Sequence, residues 1–200
     1  MTLSDKVFLN LGCGAPGTGH VPPMFAAWRQ VRVDIDAAVK PDVLADLTDL
    51  SPIGTGFADG LWAAHCIEHL YAHDAARALG EIHRVLRDDG FACIVVPDLQ
   101  TIAGVIAQDR MHETLYQSPA GPITPHDIVY GLGPALARGH LTMAHRSGFT
   151  PTAMMSALAK AGFGGIALLR RANFELAAIV RKTDWPDLAA RDSLLAALGL

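Results

Sequence analysis

Val7-Phe8-Leu9-Asn10-Leu11-Gly12-Cys13-Gly14-Ala15-Pro16-Gly17-Thr18-Gly19 is an apolar run that stops abruptly in glycines. A short apolar segment closed by turn residues reads as a buried strand, and the glycines that follow let the backbone bend tightly and approach a ligand. Four more such runs lie downstream, over Gln30 to Ile35, Asp42 to Ala45, Gly60 to Cys66 and Phe91 to Val96. Between the fourth and fifth, Ala75 to Leu86 places Leu79, Ile82, Val85 and Leu86 at the three-and-four spacing of an amphipathic helix, which Asp88-Asp89-Gly90 would stop. A further helix is expected after Pro22-Pro23. Strands alternating with helices imply parallel pairing through right-handed crossovers. The expected fold is therefore α/β, a doubly wound open sheet in three layers.

The remainder of the chain is less regular. Residues 98–147 carry Pro119, Pro122, Pro125 and Pro134 and four of the nine histidines. They are expected to form a helix and then a long irregular insertion, at about 100–148, that covers the substrate. Thr150 to Ala161 reads as another amphipathic helix closed by Gly162. Ile166 to Arg170 and Leu176 to Arg181 read as a hairpin around Arg171-Ala172-Asn173, and Asp184 to Leu200 as a helical tail. No internal repeat interrupts this order, so residues 1–200 are expected to form one domain.

Composition narrows the classes of function. Half of the residues are hydrophobic, ample for one core at this length. A formal charge of -4 gives no basic field for a phosphate backbone, so no nucleic-acid partner is expected. Cys13, Cys66 and Cys93 are odd in number and sit in apolar segments, which fits buried thiols in a reducing cytoplasm. The first residues lack the pattern of a signal peptide and no apolar run approaches a membrane span, so a soluble, cytoplasmic protein is expected. The Leu-rich tail would suit packing on a second copy.

In an open parallel sheet, ligands bind at the carboxyl ends of the strands, where the Gly12 loop falls. Asp34 ends the second strand about 20 residues beyond that loop, the spacing at which a carboxylate meets the ribose hydroxyls of an adenosine. Gly12-x-Gly14-x-x-Gly17 also matches the dinucleotide fingerprint, so an NAD-dependent oxidoreductase is an alternative. That fingerprint needs a helix opening at the pyrophosphate. Pro16, Gly17, Gly19, Pro22 and Pro23 keep this chain irregular there instead, which suits a cofactor without phosphates such as S-adenosylmethionine (SAM).

Leu9-Asn10-Leu11-Gly12-Cys13-Gly14 resembles motif I of the class I (Rossmann-like) SAM-dependent methyltransferases, and Val33-Asp34-Ile35-Asp36 resembles the acidic end of their second strand. Asp46-Leu47, His65-Cys66-Ile67-Glu68-His69-Leu70 and Glu81 to Gly90 resemble the following blocks in order. The resemblance runs from about Val7 to Leu99 and implies a seven-stranded sheet whose last strand is antiparallel. It further implies that Gly12, Cys13 and Gly14 line the methionine arm. Asp34 and Ile35 would lie at the ribose, and Asp46 with the Leu47 backbone at the adenine edge. Asn10 stands where that family usually has an acidic residue, and Pro16 departs from its loop.

The resemblance implies a methyltransferase with a small-molecule, glycan or natural-product acceptor. Methyl transfer from a sulfonium is an in-line displacement, so the protein must align the nucleophile, exclude water and, for a hydroxyl, accept a proton. His65, at the end of the fourth strand, is the first candidate for contact with the methyl group and for the base. His126 with Asp127, and His145 with Arg146, are candidates from the insertion. Glu68 and His69 read more readily as structural, and Met111, Met143, Met154 and Met155 as packing. The spacing of His65, His69 and His73 invites a metal hypothesis, but His65 is expected on a strand, and no metal is expected from that set. Glu81, Arg84 and Arg87 read as a solvated helix face. A non-catalytic binding or scaffold protein of the same fold is the third reading, kept open by Asn10 and Pro16.

Overall fold

A computed structural model describes residues 5–17 and 21–199. The element order is β1 (Val7–Leu11), β2 (Arg29–Asp34), β3 (Val43–Leu44), β4 (Ala58–Ala64), α1 (Ala72–Val85), β5 (Leu86–Pro97) and α2 (Leu99–Ile106). It continues with β6 (Tyr116–Ser118), β7 (Gly121–Ile123), α3 (Pro125–Tyr130), α4 (Gly133–Ala137), α5 (Pro151–Lys160), β8 (Gly165–Arg171), β9 (Glu175–Arg181) and α6 (Leu188–Leu198). Seven strands form one sheet in the order β3-β2-β1-β4-β5-β9-β8, all parallel except β9, which runs antiparallel to both neighbours. The fold is the doubly wound α/β sheet expected, with its antiparallel strand at the C-terminal side.

Every residue of β1 is buried, as both faces of a parallel sheet require. On one face Leu9, Leu11, Val33, Leu61 and Ile94 pack under Leu79 and Ile82 of α1 and Met154 and Leu158 of α5. The other face is aromatic. Phe8, Trp62 and Phe91 gather around Phe25, whose ring stacks on Phe8 at 4.4 Å and meets Trp28 edge-on at 5.3 Å.

Several expectations are corrected here. The helix expected after Pro22-Pro23 is only one 3₁₀ turn, Pro23–Phe25, and no helix fills the stretch before β2 among the described residues. The sheet face this leaves is covered from the other end of the chain. Leu194, Leu195 and Leu198 of α6 lie on one helical face and pack into the aromatic cluster, while Leu188 at the start of the helix stays exposed. Helix α1 passes straight into β5 at Leu86, and the Asp88-Asp89-Gly90 turn is a bulge in that strand, since Ala58 pairs with Leu86 but Gly60 with Phe91.

The insertion is far more ordered than its prolines imply. It contains α2, the β6–β7 hairpin, and α3, whose Thr124 and Asp127 form a reciprocal capping box. Its return leg crosses over the end of β4, where Arg146 and Ser147 donate backbone N–H bonds to the Glu68 carbonyl at 2.9 and 3.1 Å. Gly131, at φ 98°, permits close passage there. A Cβ on it would stand 2.1 Å from the Met143 carbonyl oxygen.

Candidate functional site

The glycine turn after β1 is held to the neighbouring strand by three sets of bonds. The Cys13 N–H donates to the Val33 carbonyl at 3.2 Å, and the Gly14 N–H donates to Asp34 Oδ2 at 2.8 Å. Arg32 then reaches across and donates to the carbonyls of Gly14, Val39 and Lys40. Gly12 is at φ 62°, and a Cβ there would lie 2.7 Å from the Cβ of Cys66, so only glycine lets β1 and the β4 exit approach so closely. Sequence reasoning missed Arg32, which sits inside an alternating strand pattern and carries no local mark of its role.

One side of this turn is a cavity of about 330 Å³ bounded by Gly12, Gly14, Asp34, Ile35, Asp46 and Leu47, with Thr142 and Met143 arching over it. The Asp34 carboxylate receives the N–H groups of Gly14 and Asp36, one on each oxygen. Each oxygen keeps a second lone pair, so the group can accept two hydroxyls as well. Ile35 is largely exposed and offers a flat apolar wall. Asp46 closes a tight turn by accepting from the Thr48 N–H and hydroxyl, both at 2.8 Å. Met143, expected as packing, instead faces both this cavity and the one under the insertion.

The loop bearing Asp46 and Leu47 is fastened to α1. Arg84 forks onto Glu81 at 2.7 Å and donates to the carbonyls of Leu50 and Ile53, while Glu81 accepts from the Leu50 N–H. The ion pair expected of these two residues is present, but it clamps the loop of the site instead of lying in solvent. On the other side of Gly12, Asn10, Cys13, Trp62, Val95, Arg171 and Asn173 bound a second cavity of about 400 Å³. Nine of the residue positions expected at a cofactor, namely Asn10, Gly12, Cys13, Gly14, Asp34, Ile35, Asp46, Leu47 and His65, thus line two adjoining cavities.

A third cavity, of about 240 Å³, lies beneath the insertion among Glu68, His69, Tyr116, Ile123, Asp127, Phe174 and His145. His65 lines all three cavities and is the point where they meet. Its backbone is left-handed, at φ 52°, which turns the chain sharply out of β4 and aims the ring between two carboxylates. Nε2 is 3.0 Å from Glu175 and Nδ1 is 3.4 Å from Glu68. Burial opposes a charge on this ring, but the two carboxylates outweigh it and raise the imidazole to about 10. Burial likewise works against charge on Glu68 and Glu175, and His65 holds both below the usual carboxylate range. The two carboxylates thus favour the imidazolium, hydrogen-bonded to Glu175 and ion-paired to Glu68, a state in which the ring accepts no further proton.

The insertion histidines divide. His145 lines the third cavity, where Nδ1 donates to the Ile128 carbonyl at 2.8 Å, and burial holds its ring below the usual histidine range. His126 lines none of these cavities. Its ring stacks on His112 at 5.3 Å and is tilted against Tyr130 at 5.0 Å, while the next residue, Asp127, faces the cavity. The structure thus places His126, half-buried, outside the cavities that His65 and His145 line. Glu175 was missed altogether, since it reaches His65 only through the pairing of β9 with β5, in which it lies opposite Pro97.

The comparisons with known proteins agree with this geometry. Residues 9–94 match the family model described as a methyltransferase domain. The PH0226 protein of Pyrococcus horikoshii superposes with a TM-score of 0.58 at 14% identity, covering 89% of this chain and 82% of that one. A SAM-dependent methyltransferase of Methanosarcina mazei gives 0.58 at 14% identity, with 90% and 94% covered. The 1,6-didemethyltoxoflavin-N1-methyltransferase of Burkholderia thailandensis, solved with bound 1,6-didemethyltoxoflavin and S-adenosylhomocysteine, gives 0.53 at 19% identity, with 90% and 72% covered. No curated protein sequence matches the chain. The chain has the fold of these SAM-dependent methyltransferases, and the methyltransferase-domain model matches it from within β1 into β5.

Proposed function

We propose that this protein transfers a methyl group from SAM to a small molecule held beneath the 98–147 insertion. The observation that carries the reading is the convergence of three cavities at His65. Adenosine would occupy the Asp34 cavity, with ribose hydroxyls on the carboxylate and adenine between Ile35 and Leu47. The methionine arm would pass Gly12 toward Asn10 and Arg171. The methyl group would then point past His65 into the third cavity, whose roughly 240 Å³ suits a small acceptor, or the exposed end of a larger one. The methyltransferase-domain match supports the same cofactor.

The residues around the acceptor cavity would position and desolvate the nucleophile, which is most of what an in-line displacement at a sulfonium requires. Tyr116 stacks on Phe174 at 6.3 Å and, with Ile123 and Ile128, forms an apolar wall. Glu68, His69 and His145 form the polar floor. An acceptor with a flat apolar body and one polar atom fits that division. A dinucleotide fits poorly, because no helix opens at the glycine turn among the described residues to meet a pyrophosphate.

Calorimetric titration with SAM, S-adenosylhomocysteine and NAD tests the cofactor. Micromolar binding of the first two is expected. NAD binding alone, or silence from all three, would overturn the reading. Protein that binds SAM would then be incubated with radiolabelled SAM and panels of phenols, amines and hydroxylated natural-product precursors to find the acceptor.

A further inference from the structure

We propose that Glu68, His69 and His145 bind a divalent transition-metal ion, Zn²⁺ by the chemistry of the ligands, in the floor of the acceptor cavity. One ligand atom from each of the three lies within 4.8 Å of the others. A tetrahedral ion holding ligands at about 2.0–2.2 Å separates them by roughly 3.3–3.6 Å, so capture takes about an ångström of side-chain movement.

Three further observations point the same way. His69 Nδ1 faces the Ala144 carbonyl at 3.2 Å, and His145 Nδ1 faces the Ile128 carbonyl at 2.8 Å. A carbonyl only accepts, so each Nδ1 carries a proton and Nε2 is the ring atom left for a metal, the backing that metal-bound histidines use. The Glu68 carboxylate is 1% exposed, and neither oxygen has a hydrogen-bond partner among the described residues. Its contact with His65, at 3.4 Å, is an ion pair on Oε1 and not a formed hydrogen bond. His65 thus offsets the charge from the Oε1 side only, and Oε2, buried without a hydrogen-bond partner, is the atom left to take a metal ion.

Finally, the ligands are held together by the backbone. Arg146 and Ser147 donate to the Glu68 carbonyl, and the His145 N–H donates to the Tyr130 carbonyl at 3.2 Å. The insertion is thus pinned where it delivers its histidine. Two imidazoles and one carboxylate leave a coordination position open toward the cavity, the arrangement of a zinc site that binds a substrate atom, not of a closed structural one. The role of the ion rests on the methyltransferase reading above. There it would orient an acceptor oxygen and make it more acidic. The sequence spacing of His65, His69 and His73 pointed to a different set, since His73 lies on the surface against Tyr71, at 5.9 Å between rings, and His65 is taken by Glu175.

The test uses the full chain after chelator treatment. Co²⁺ is titrated while the visible d–d absorption is recorded, and Zn²⁺ is followed by calorimetry. One equivalent should bind with micromolar or tighter affinity and give the intense visible band of four- or five-coordinate Co²⁺. His69→Ala, His145→Gln and Glu68→Gln should each weaken binding at least about tenfold and change the band. His73→Ala should leave both unaltered. Absence of stoichiometric uptake by the unmutated chain, or uptake that survives His69→Ala and His145→Gln unchanged, would overturn the proposal. SAM titration and circular dichroism of the same samples separate the outcomes. Intact SAM binding without metal uptake would sink the metal site alone, and metal uptake without SAM binding would sink the methyltransferase reading while leaving the site standing.

Discussion

Asp34 serves two partners at once. Its carboxylate already anchors the glycine turn through Gly14 and the following turn through Asp36, and it still has lone pairs for a ribose. Asp34→Ala should therefore weaken SAM by about 2 kcal/mol, roughly thirtyfold, through lost charge-assisted bonds and a loosened turn together. Calorimetry on a variant with unchanged melting behaviour would show it, and unchanged SAM affinity would sink the assignment. His65 illustrates the opposite case. From the sequence it reads as a base, whereas its two carboxylates make it a brace between the cavities. Both of those carboxylates are buried or nearly so, and neither is marked by any pattern around the histidine itself.

Among the elements, α1 does more than cover the sheet. Through Arg84 and Glu81 it holds the loop that carries Asp46 and Leu47. Arg84→Ala removes two charge-assisted bonds to carbonyls and leaves Glu81 without its partner, so a loss of about 2 kcal/mol is expected in urea unfolding, with weaker SAM binding alongside. The same helix meets the turn that follows α5 at His83, whose ring lies edge-on to Phe163 at 5.1 Å. Burial and the nearby Lys182 pull this histidine below its usual range, against weaker opposing effects of the Gly162 backbone and Asp88. A lowered histidine is protonated more readily in the unfolded chain. Its contribution to stability is therefore present above about pH 6.5 and lost as the pH falls through the lowered value. Thermal melts at about pH 7.5 and about pH 5 should show a smaller drop for His83→Gln than for the unmutated chain. An equal drop would place the acid sensitivity elsewhere.

At the scale of the whole molecule, the sheet is closed by segments from opposite ends of the chain. The 3₁₀ turn at Pro23–Phe25 is too short to cover its face, and α6 completes the layer with Leu194, Leu195 and Leu198. Leu198 is buried against that aromatic cluster, so Leu198→Ala should cost about 2–3 kcal/mol in chemical denaturation. A change below about 0.5 kcal/mol would mean the tail is not part of the core. Among the described residues no helix is long and apolar enough to cross a membrane. Cys13, Cys66 and Cys93 are free thiols, buried as the sequence implied.

What could be read directly from the chain is what neighbours in sequence decide. The strand-then-glycine turn of β1, the carboxylate ending β2, the periodicity of α1 and the alternation of elements all depend on local geometry, and they define the fold and the cofactor side of the site. The cavity beneath the insertion depends on meetings between distant segments. Glu175 reaches His65 across 110 residues because β9 inserts antiparallel beside β5, and His145 reaches Glu68 because the insertion returns across the end of β4. No local periodicity records such a meeting. Side-chain pairing across a sheet and over a loop is decided by register and packing, and these exist only once the chain has folded.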